Sequence, residues 1–154
     1  MDADQNLNAD LAQRAVMRAA DMDWQPSPSP SVWRKRFYRD GPAEAGIVTS
    51  VVRYDAGSTF PIHHHPGGEE IFVLDGVFSD EHGDYPAGTY LLNPDGTSHA
   101  PFSREGCTLF VKLRQYAGEG RAQVEMNTGV LHWQARTETG IWQIPLYRQG
   151  GYRD

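Results

Sequence analysis

Two short segments that combine histidine with glycine and proline constrain this chain more than any other feature. The first segment carries His63, His65 and Glu69, and the second carries His99. Imidazole and carboxylate groups are common protein ligands of divalent transition metals. Each of these residues stands near a turn-forming glycine or proline, which can bring distant side chains together. The sequence therefore predicts one metal site built from both segments.

The spacing within the first segment has a physical reason. On a β-strand, His63 and His65 point to one face of the sheet and His64 points to the other. The turn at Pro66-Gly67-Gly68 then lets the chain reverse, so that Glu69 can face the same ion from the next strand. The histidine of the second segment must come from another hairpin. Ligands from two hairpins can converge only if the sheet curls, and we therefore expect a barrel.

Composition and turn signals predict an all-β chain. The 154 residues include 16 Gly and 10 Pro, which is typical of short strands joined by many turns. The Asp75-Gly76 pair predicts a tight hairpin turn between two strands. The segments predicted as strands are 32–38, 47–54, 58–65, 70–74, 77–80, 89–92, 98–102 and 108–114. Strands of this length and spacing indicate a sandwich or a barrel.

These residues resemble the two motifs of the cupin superfamily. The matching pattern is Gly57-x5-His63-x-His65-x3-Glu69-x6-Gly76 and Gly88-x5-Pro94-x-Gly96-x2-His99, with Ser103 in place of the usual final Asn. Segments 63–71, 74–90 and 94–103 are similar to the ChrR type of cupin, which is the sensor half of a zinc anti-sigma factor and also occurs alone. The resemblance implies an RmlC-like double-stranded β-helix, or jelly-roll barrel, with short terminal extensions.

The expected organisation is an N-terminal extension (1–23), a ChrR-like cupin barrel (24–116) and a C-terminal arm (117–154). The arm contains a partial internal repeat, because a shift of 109 residues superposes identical residues from 17–41 on 126–150. The identities are Met17 on Met126, Trp24 on Trp133, Gln25 on Gln134, Trp33 on Trp142, Tyr38 on Tyr147, Arg39 on Arg148 and Gly41 on Gly150. Background composition would give roughly one or two.

A repeat of about one domain length indicates a duplicated unit, and some ChrR-type proteins carry two cupin domains in tandem. We therefore expect the arm to resemble the start of a second cupin repeat. We also expect its apolar residues to pack on the barrel or on a neighbouring subunit. These residues are Leu131, Trp133, Ile141, Trp142 and Leu146.

Charge and cysteine content exclude several classes of protein. The net charge of −6 argues against a nucleic-acid-binding surface. No apolar run is long enough to span a membrane, and the polar N-terminus does not resemble a secretory signal. A single cysteine, Cys107, suits a reducing compartment, and we expect it to be a small buried residue. The expected location is the cytoplasm.

The ligand set leaves three functions open. Three imidazoles and one carboxylate leave one or two positions free on an octahedral ion, and they accept zinc, iron, manganese or nickel. We expect one ion per chain, with zinc in the isolated protein. The favoured reading is a small-molecule-binding or sensing protein. The alternative is an Fe(II)-dependent dioxygenase that cleaves a diketone or hydroxy-ketone, as some similar small cupins do. The third possible function is a metal-stabilised module without chemistry of its own. The sequence assigns no catalytic residue.

The expected partners are a small-molecule ligand in the barrel and a second copy of the chain in a homodimer. An anti-sigma partnership is not expected, because the His-x3-Cys-x2-Cys pattern of the ChrR zinc domain does not occur in these residues. Beside the ligands, His64 is predicted to be a surface or interface residue, and Glu70 is predicted to be a salt-bridge partner rather than a fifth ligand.

Overall fold

The chain folds almost entirely into antiparallel β-structure, which confirms the all-β prediction. The computed structural model describes residues 6–137 and 140–152. The strands are β1 (Gln25–Pro26), β2 (Val32–Asp40), β3 (Ile47–Tyr54), β4 (Ser58–Thr59), β5 (His63–His64), β6 (Glu69–Ser79), β7 (Asp84–Pro86), β8 (Thr89–Asn93), β9 (Ser98–His99), β10 (Phe102–Ser103), β11 (Cys107–Leu113), β12 (Val124–Asn127), β13 (Gln134–Ala135) and β14 (Trp142–Gln143). Two short 3-10 turns, Ala19–Asp21 and Thr128–Val130, are the helical segments of the described residues. Neither is long enough to cross a membrane.

Two sheets share strand β6 and enclose the interior. The larger sheet has the order β1-β2-β3-β11-β6-β8-β12, and the smaller one has the order β7-β6-β10-β4. Strands β5 and β9 form a separate two-stranded pair, and β13 and β14 form another. Strand β6 pairs with β8 and β11 in its first part and with β7 and β10 at its end, so it carries the chain from one sheet to the other.

Alternating side chains of these strands fill one core. Along β11, Cys107, Leu109 and Val111 are buried and the residues between them are half-buried, as a strand with one face on the core requires. Cys107 is a small buried residue, as predicted. The buried cluster consists of Val32, Tyr54, Ile71, Val73, Phe78, Tyr85, Leu91, Cys107, Leu109 and Val111. Because these residues come from both sheets, the burial of their apolar surface holds the sheets together.

A second apolar cluster attaches the C-terminal arm to the outer face of the larger sheet. Strand β12 pairs with β8, and Val124 and Met126 pack beside Tyr90, Leu92 and Tyr116 together with Leu146 and Tyr147. The guanidinium of Arg121 lies 3.6 Å from the ring centroid of Tyr116 and 3.7 Å from that of Tyr152. Stacking of a cation on aromatic rings stabilises this contact. Most of the arm is therefore fixed to the barrel.

The hairpin of β13 and β14 does not pack on the barrel as the rest of the arm does. The side chains of Trp133, Ile141 and Trp142 are 63%, 48% and 61% exposed. Of the predicted apolar stripe, Leu146 packs on the barrel, whereas these three large residues do not. Of the two alternatives expected for the stripe, packing on the barrel does not hold for these three residues, and packing on a neighbouring subunit stays a prediction.

Two predicted strands are interrupted at prolines. The segment 58–65 forms β4 and β5, with Pro61 between them, and the segment 98–102 breaks before Pro101. Proline has no backbone N–H and cannot continue a hydrogen-bonded ladder. The other predicted strands outside the Asp75-Gly76 region agree with the structure to within two residues at each end.

The predicted hairpin turn at Asp75-Gly76 is wrong, because β6 continues through both residues. The pairing of β6 with β11 shifts by one residue just before Asp75, which marks a β-bulge. Gly76 has a φ of +72°, and a Cβ added there would lie 2.2 Å from the carbonyl oxygen of Gly106. The same backbone freedom that makes Asp-Gly a turn signal also suits a bulge where two backbones approach closely.

We expect the substitution Gly76→Ala to lower the free energy of unfolding by about 3 kcal/mol, because left-handed strain and a backbone overlap add. Gly57 is the matched control, since its φ is +76° and an added Cβ would meet no atom within 4 Å. Gly57→Ala should therefore cost only about 1 kcal/mol. Urea denaturation of both variants measures the difference. Equal losses would mean that the contact with Gly106 does not restrict this position.

Candidate metal centre

The structure brings the four predicted ligand residues together. His63 and His99 lie directly opposite each other on β5 and β9, His65 follows β5, and Glu69 begins β6. One ligand atom from each of the four residues lies within 4.8 Å of the others. His65, Glu69 and His99 are buried and His63 is half-buried. The convergence predicted from the spacing is thus present, whereas metal binding stays a prediction.

Each imidazole is oriented by an acceptor at its Nδ1 atom. Nδ1 of His63 lies 3.0 Å from the carbonyl oxygen of Pro61, and Nδ1 of His65 lies 2.7 Å from the hydroxyl of Thr97. That hydroxyl donates to the carbonyl of Pro94, so it accepts from His65. Nδ1 of His99 lies 3.1 Å from the carboxylate of Asp80. Because all three partners accept, each Nδ1 carries the proton and each Nε2 presents a lone pair.

The Nε2 atoms have the surroundings that a bound cation would require. Those of His65 and His99 are buried, and neither has a hydrogen-bond partner among the described residues. They lie 3.3 and 3.4 Å from Oε2 of Glu69. A buried polar atom without a partner costs free energy, and lone pairs facing a carboxylate repel each other. The donor set therefore fits a positive ion placed among these atoms.

Burial dominates the electrostatics of the centre. It raises the pKa of Glu69 from 4.5 to about 7, against the hydrogen bond that Asn93 donates to its Oε2. Burial, followed by the neighbouring imidazoles, lowers the pKa of His65 from 6.5 to about 3. The same causes lower the pKa of His99, against the opposing influence of Asp80. Both imidazoles are thus neutral near neutral pH, as metal ligands must be.

Asp80, like Thr97, orients a histidine of this cluster, and sequence reasoning missed both residues. Oδ1 of Asp80 accepts hydrogen bonds from the backbone N–H groups of His82 and Gly83 and from the hydroxyl of Tyr85, while its Oδ2 faces His99. The side chain is buried, and four donors surround its two oxygens. An aspartate three residues before a glycine is a signal for a side-chain turn. That signal predicts the loop contacts but not the contact with the imidazole.

A cavity of about 260 Å³ inside the barrel reaches all four residues of the cluster. Its walls are mainly apolar, with Phe60, Ile71 and Leu109 among them. Tyr54 also lines it, and burial raises the pKa of this phenol well above its ordinary value, so the hydroxyl stays protonated. The loop at 41–46 contributes Glu44 to the lining, and Arg34 holds that carboxylate with two hydrogen bonds of 3.0 Å.

The residues beside the ligands lie where the alternation of the strands predicts. His64 is exposed. Glu70 pairs with Lys112 at 2.7 Å and accepts a hydrogen bond of 2.7 Å from the hydroxyl of Tyr90. Glu70, Lys112 and Tyr90 lie on the outer face of the larger sheet, where Tyr90 packs in the second cluster. The prediction that Glu70 is a salt-bridge partner is confirmed.

Comparison with known proteins gives a family and a fold. A family model described as the ChrR Cupin-like domain matches residues 12–117. The curated protein DRT102 of Arabidopsis thaliana, a DNA damage-repair/toleration protein, is 33% identical over 70 residues, which are 42% of this chain and 23% of that protein. The chain thus spans about a quarter of the length of this relative.

Solved structures show the same barrel. The anti-sigma factor ChrR, in complex with SigE of Rhodobacter sphaeroides, is 22% identical with a TM-score of 0.51 over 62% of this chain and 51% of that one. An RmlC-like cupin from Ralstonia eutropha is 23% identical with a TM-score of 0.56, over 70% of this chain and 69% of that one. An acetylacetone dioxygenase from Acinetobacter johnsonii is 18% identical with a TM-score of 0.55, over 66% of this chain and 74% of that one. These similarities confirm the predicted RmlC-like jelly-roll fold.

The raised pKa of Glu69 predicts a pH-dependent cost in the metal-free protein. A carboxyl whose folded pKa exceeds its unfolded value stabilises the native state at low pH, and this contribution disappears as the pH rises from 4.5 to about 7. Glu69→Gln has no such loss. We therefore expect it to gain about 2 to 3 kcal/mol over the wild type between pH 5 and pH 8, at about 1.4 kcal/mol for each pKa unit.

Urea denaturation of chelator-treated proteins at the two pH values measures this gain. Glu70→Gln is the matched control, because the Glu70 carboxylate pairs with Lys112 on the outer face. An equal gain in both variants, or none in Glu69→Gln, would contradict the assignment of the cost to the buried carboxylate.

Proposed function

The chain belongs to the family of ChrR cupin-like domains, and we propose that it binds a divalent metal ion and, beside it, a small molecule inside the barrel. The observation that carries this proposal is the pair of buried, unpartnered Nε2 atoms of His65 and His99 next to the carboxylate of Glu69. Leaving such atoms unpaired costs about 1 to 3 kcal/mol each. A cation among them would offset this cost and favour the ionised carboxylate.

The proposed ligands are His63, His65, Glu69 and His99, with one ion per chain. Imidazole and carboxylate donors suit zinc, iron, manganese and nickel, and we propose zinc for the protein as isolated. When bound, the ion would supply Lewis acidity, and iron or manganese would add redox chemistry. Asp80 and Thr97 hold two of the imidazoles in the orientation that the ion requires.

The cavity defines the class of small molecule. Its apolar walls suit an apolar body, and its volume of about 260 Å³ limits the size of that body. The molecule would direct one or two oxygen atoms towards the centre, because all four cluster residues line the cavity. The protonated hydroxyl of Tyr54 can donate to such an oxygen. A diketone, an enol or a hydroxy-ketone has this combination of groups.

Two roles use this arrangement, and we place sensing or binding first. Family membership supports that role, since the structural relative ChrR is an anti-sigma factor. The second candidate is an Fe(II)-dependent dioxygenase acting on a diketone or hydroxy-ketone. The direct contact between cavity and centre favours it, because a molecule in the cavity could chelate the ion. The fold shared with an acetylacetone dioxygenase is consistent with it. A cytoplasmic location, a homodimer and the lack of an anti-sigma partner stay predictions.

Replacing a proposed ligand should remove the metal and the stability that it adds. We expect His65→Ala to retain less than about a tenth of the metal of the wild type, because the variant lacks one of the four proposed ligands. His64→Ala is the matched control, since this neighbour is exposed. Elemental analysis and the chelator-sensitive part of the melting temperature measure both effects. Full occupancy in His65→Ala, or loss of metal in His64→Ala, would refute the assigned ligand set.

Asp80→Asn should weaken metal binding by about 10- to 100-fold, because the amide can present its NH₂ to His99 and no longer fixes the Nδ1 proton. Asp84 is the control, since this exposed carboxylate bonds Ser79 and Arg104 instead of a cluster residue. Competition with a metal-binding dye compares the affinities of Asp80→Asn and Asp84→Asn. Equal affinities would show that Asp80 does not position His99 for the ion.

Oxygen uptake separates the two candidate roles. After anaerobic loading with Fe(II), we expect acetylacetone and aryl hydroxy-ketones to shift the electronic absorption of the protein in a saturable way without consuming O2. Substrate-dependent O2 uptake that disappears in His65→Ala would instead identify the protein as a dioxygenase. The metal-replete His64→Ala variant should behave like the wild type in either case.

A further inference from the structure

The C-terminal hairpin repeats the 3-10 turn, the first strand and the strand pairing of the N-terminal one, although its second strand is shorter. The 3-10 turn Ala19–Asp21 corresponds to Thr128–Val130, and strand β1 corresponds to β13, at the same shift of 109 residues that relates the sequences. Two strand pairings are also equivalent. Gln25↔Arg34 and Pro26↔Trp33 in the first hairpin correspond to Gln134↔Gln143 and Ala135↔Trp142 in the second.

Hydrogen bonds outside the strands follow the same shift. The N–H of Met22 donates to the carbonyl of Ala19, and that of Leu131 donates to Thr128. The N–H of Ser27 donates to Val32, and that of Arg136 donates to Ile141. Turn position and strand register coincide over residues 19–34 and 128–143, and residue identities extend the match to 17–41 and 126–150. This agreement indicates one structural unit used twice.

In the first hairpin, strand β3 and the core cover the apolar residues. Val32 is 2% exposed within the core. The ring of Trp24 lies 4.6 Å from both the ammonium of Lys35 and the guanidinium of Arg53, and the indole of Trp33 donates a hydrogen bond of 2.7 Å to Asp55. Strand β3 supplies Arg53, and Asp55 follows directly after it.

The second hairpin carries the same groups without that cover. Ile141 stands where the first hairpin has Val32, and Trp133 and Trp142 stand where it has Trp24 and Trp33. All three are about half exposed or more. Within the described residues, β14 pairs only with β13, so its other edge is free. A free strand edge next to an exposed apolar face is typical of a docking surface.

We propose that residues 126–149 are the opening hairpin of a second cupin unit, and that their face of Trp133, Ile141 and Trp142 docks the sheet of that unit. The docking strand would lie antiparallel to β14 as β3 lies beside β2, with a basic side chain against the two indoles. A second copy of this chain is not the proposed occupant, because its β3 is already paired on both edges, with β2 and β11. The proposal does not depend on the metal centre.

A chimeric chain tests whether the hairpin can open a cupin barrel. Residues 1–149 are followed by a second copy of residues 41–116, so that 126–149 replace 17–40 in the added unit. The reference chimera carries 17–40 itself at that place. We expect backbone amides of the added β3 copy to be protected from hydrogen exchange at least roughly 100-fold in both chimeras. Ile141→Asp should abolish this protection in the first chimera, because Ile141 takes the place of the buried Val32.

Unprotected amides in the first chimera beside a protected reference would overturn the proposal. Protection that survives Ile141→Asp would overturn it as well, since the hairpin would then not be the docking element. The natural chain tests the other occupant. If it self-associates in sedimentation analysis and Ile141→Asp makes it monomeric, a second copy covers this face and the proposed occupant is wrong. A mass unchanged by Ile141→Asp is the result that we expect.

Discussion

The imidazole of His99 faces a carboxylate at each of its ring nitrogens, and the two carboxylates come from opposite ends of strand β6. Glu69 begins the strand and lies 3.4 Å from Nε2, while Asp80 directly follows it and lies 3.1 Å from Nδ1. A straight strand of this length would separate the two residues by roughly 35 Å. Strand β6 must therefore curve around His99, and the bulge with the left-handed Gly76 lies within this curved strand. The strand that passes from one sheet to the other thus also brings the residues of the proposed metal centre together.

This arrangement places polar groups in an interior that would be more stable without them. Glu69 is buried beside imidazole nitrogens that have no hydrogen-bond partner, and its raised pKa reflects the cost of ionising it there. The apolar core formed by both sheets offsets that cost. Asp80 and Thr97 prevent the imidazoles from turning to satisfy their own Nε2 atoms. The cluster is thus held in a conformation suited to a ligand, which is typical of a functional site.

The sequence predicted the centre better than its supporting residues. The alternation of side chains along a strand and the turn at the glycines are local rules, and they are enough to predict that His63, His65 and Glu69 face one point. The Asp75-Gly76 pair does not form the turn that its composition predicts, because the backbone freedom of glycine serves a bulge as well as a turn, and only the approach of Gly106 distinguishes the two. Asp80 was missed because its contact with His99 depends on the curvature of β6. The exposure of Trp142 could not be predicted, because the amino-acid sequence of a strand does not show whether another strand covers it.

X-ray absorption spectroscopy at the edge of the metal that copurifies with the protein tests the central claim most directly. The account predicts a first shell of nitrogen and oxygen atoms at about 2.0 to 2.2 Å, with outer-shell scattering from three imidazole rings and no sulfur. The number of imidazoles should fall to two in any residual metal of His63→Ala. A shell containing sulfur, or one without imidazole scattering, would contradict a centre made of three histidines and a glutamate.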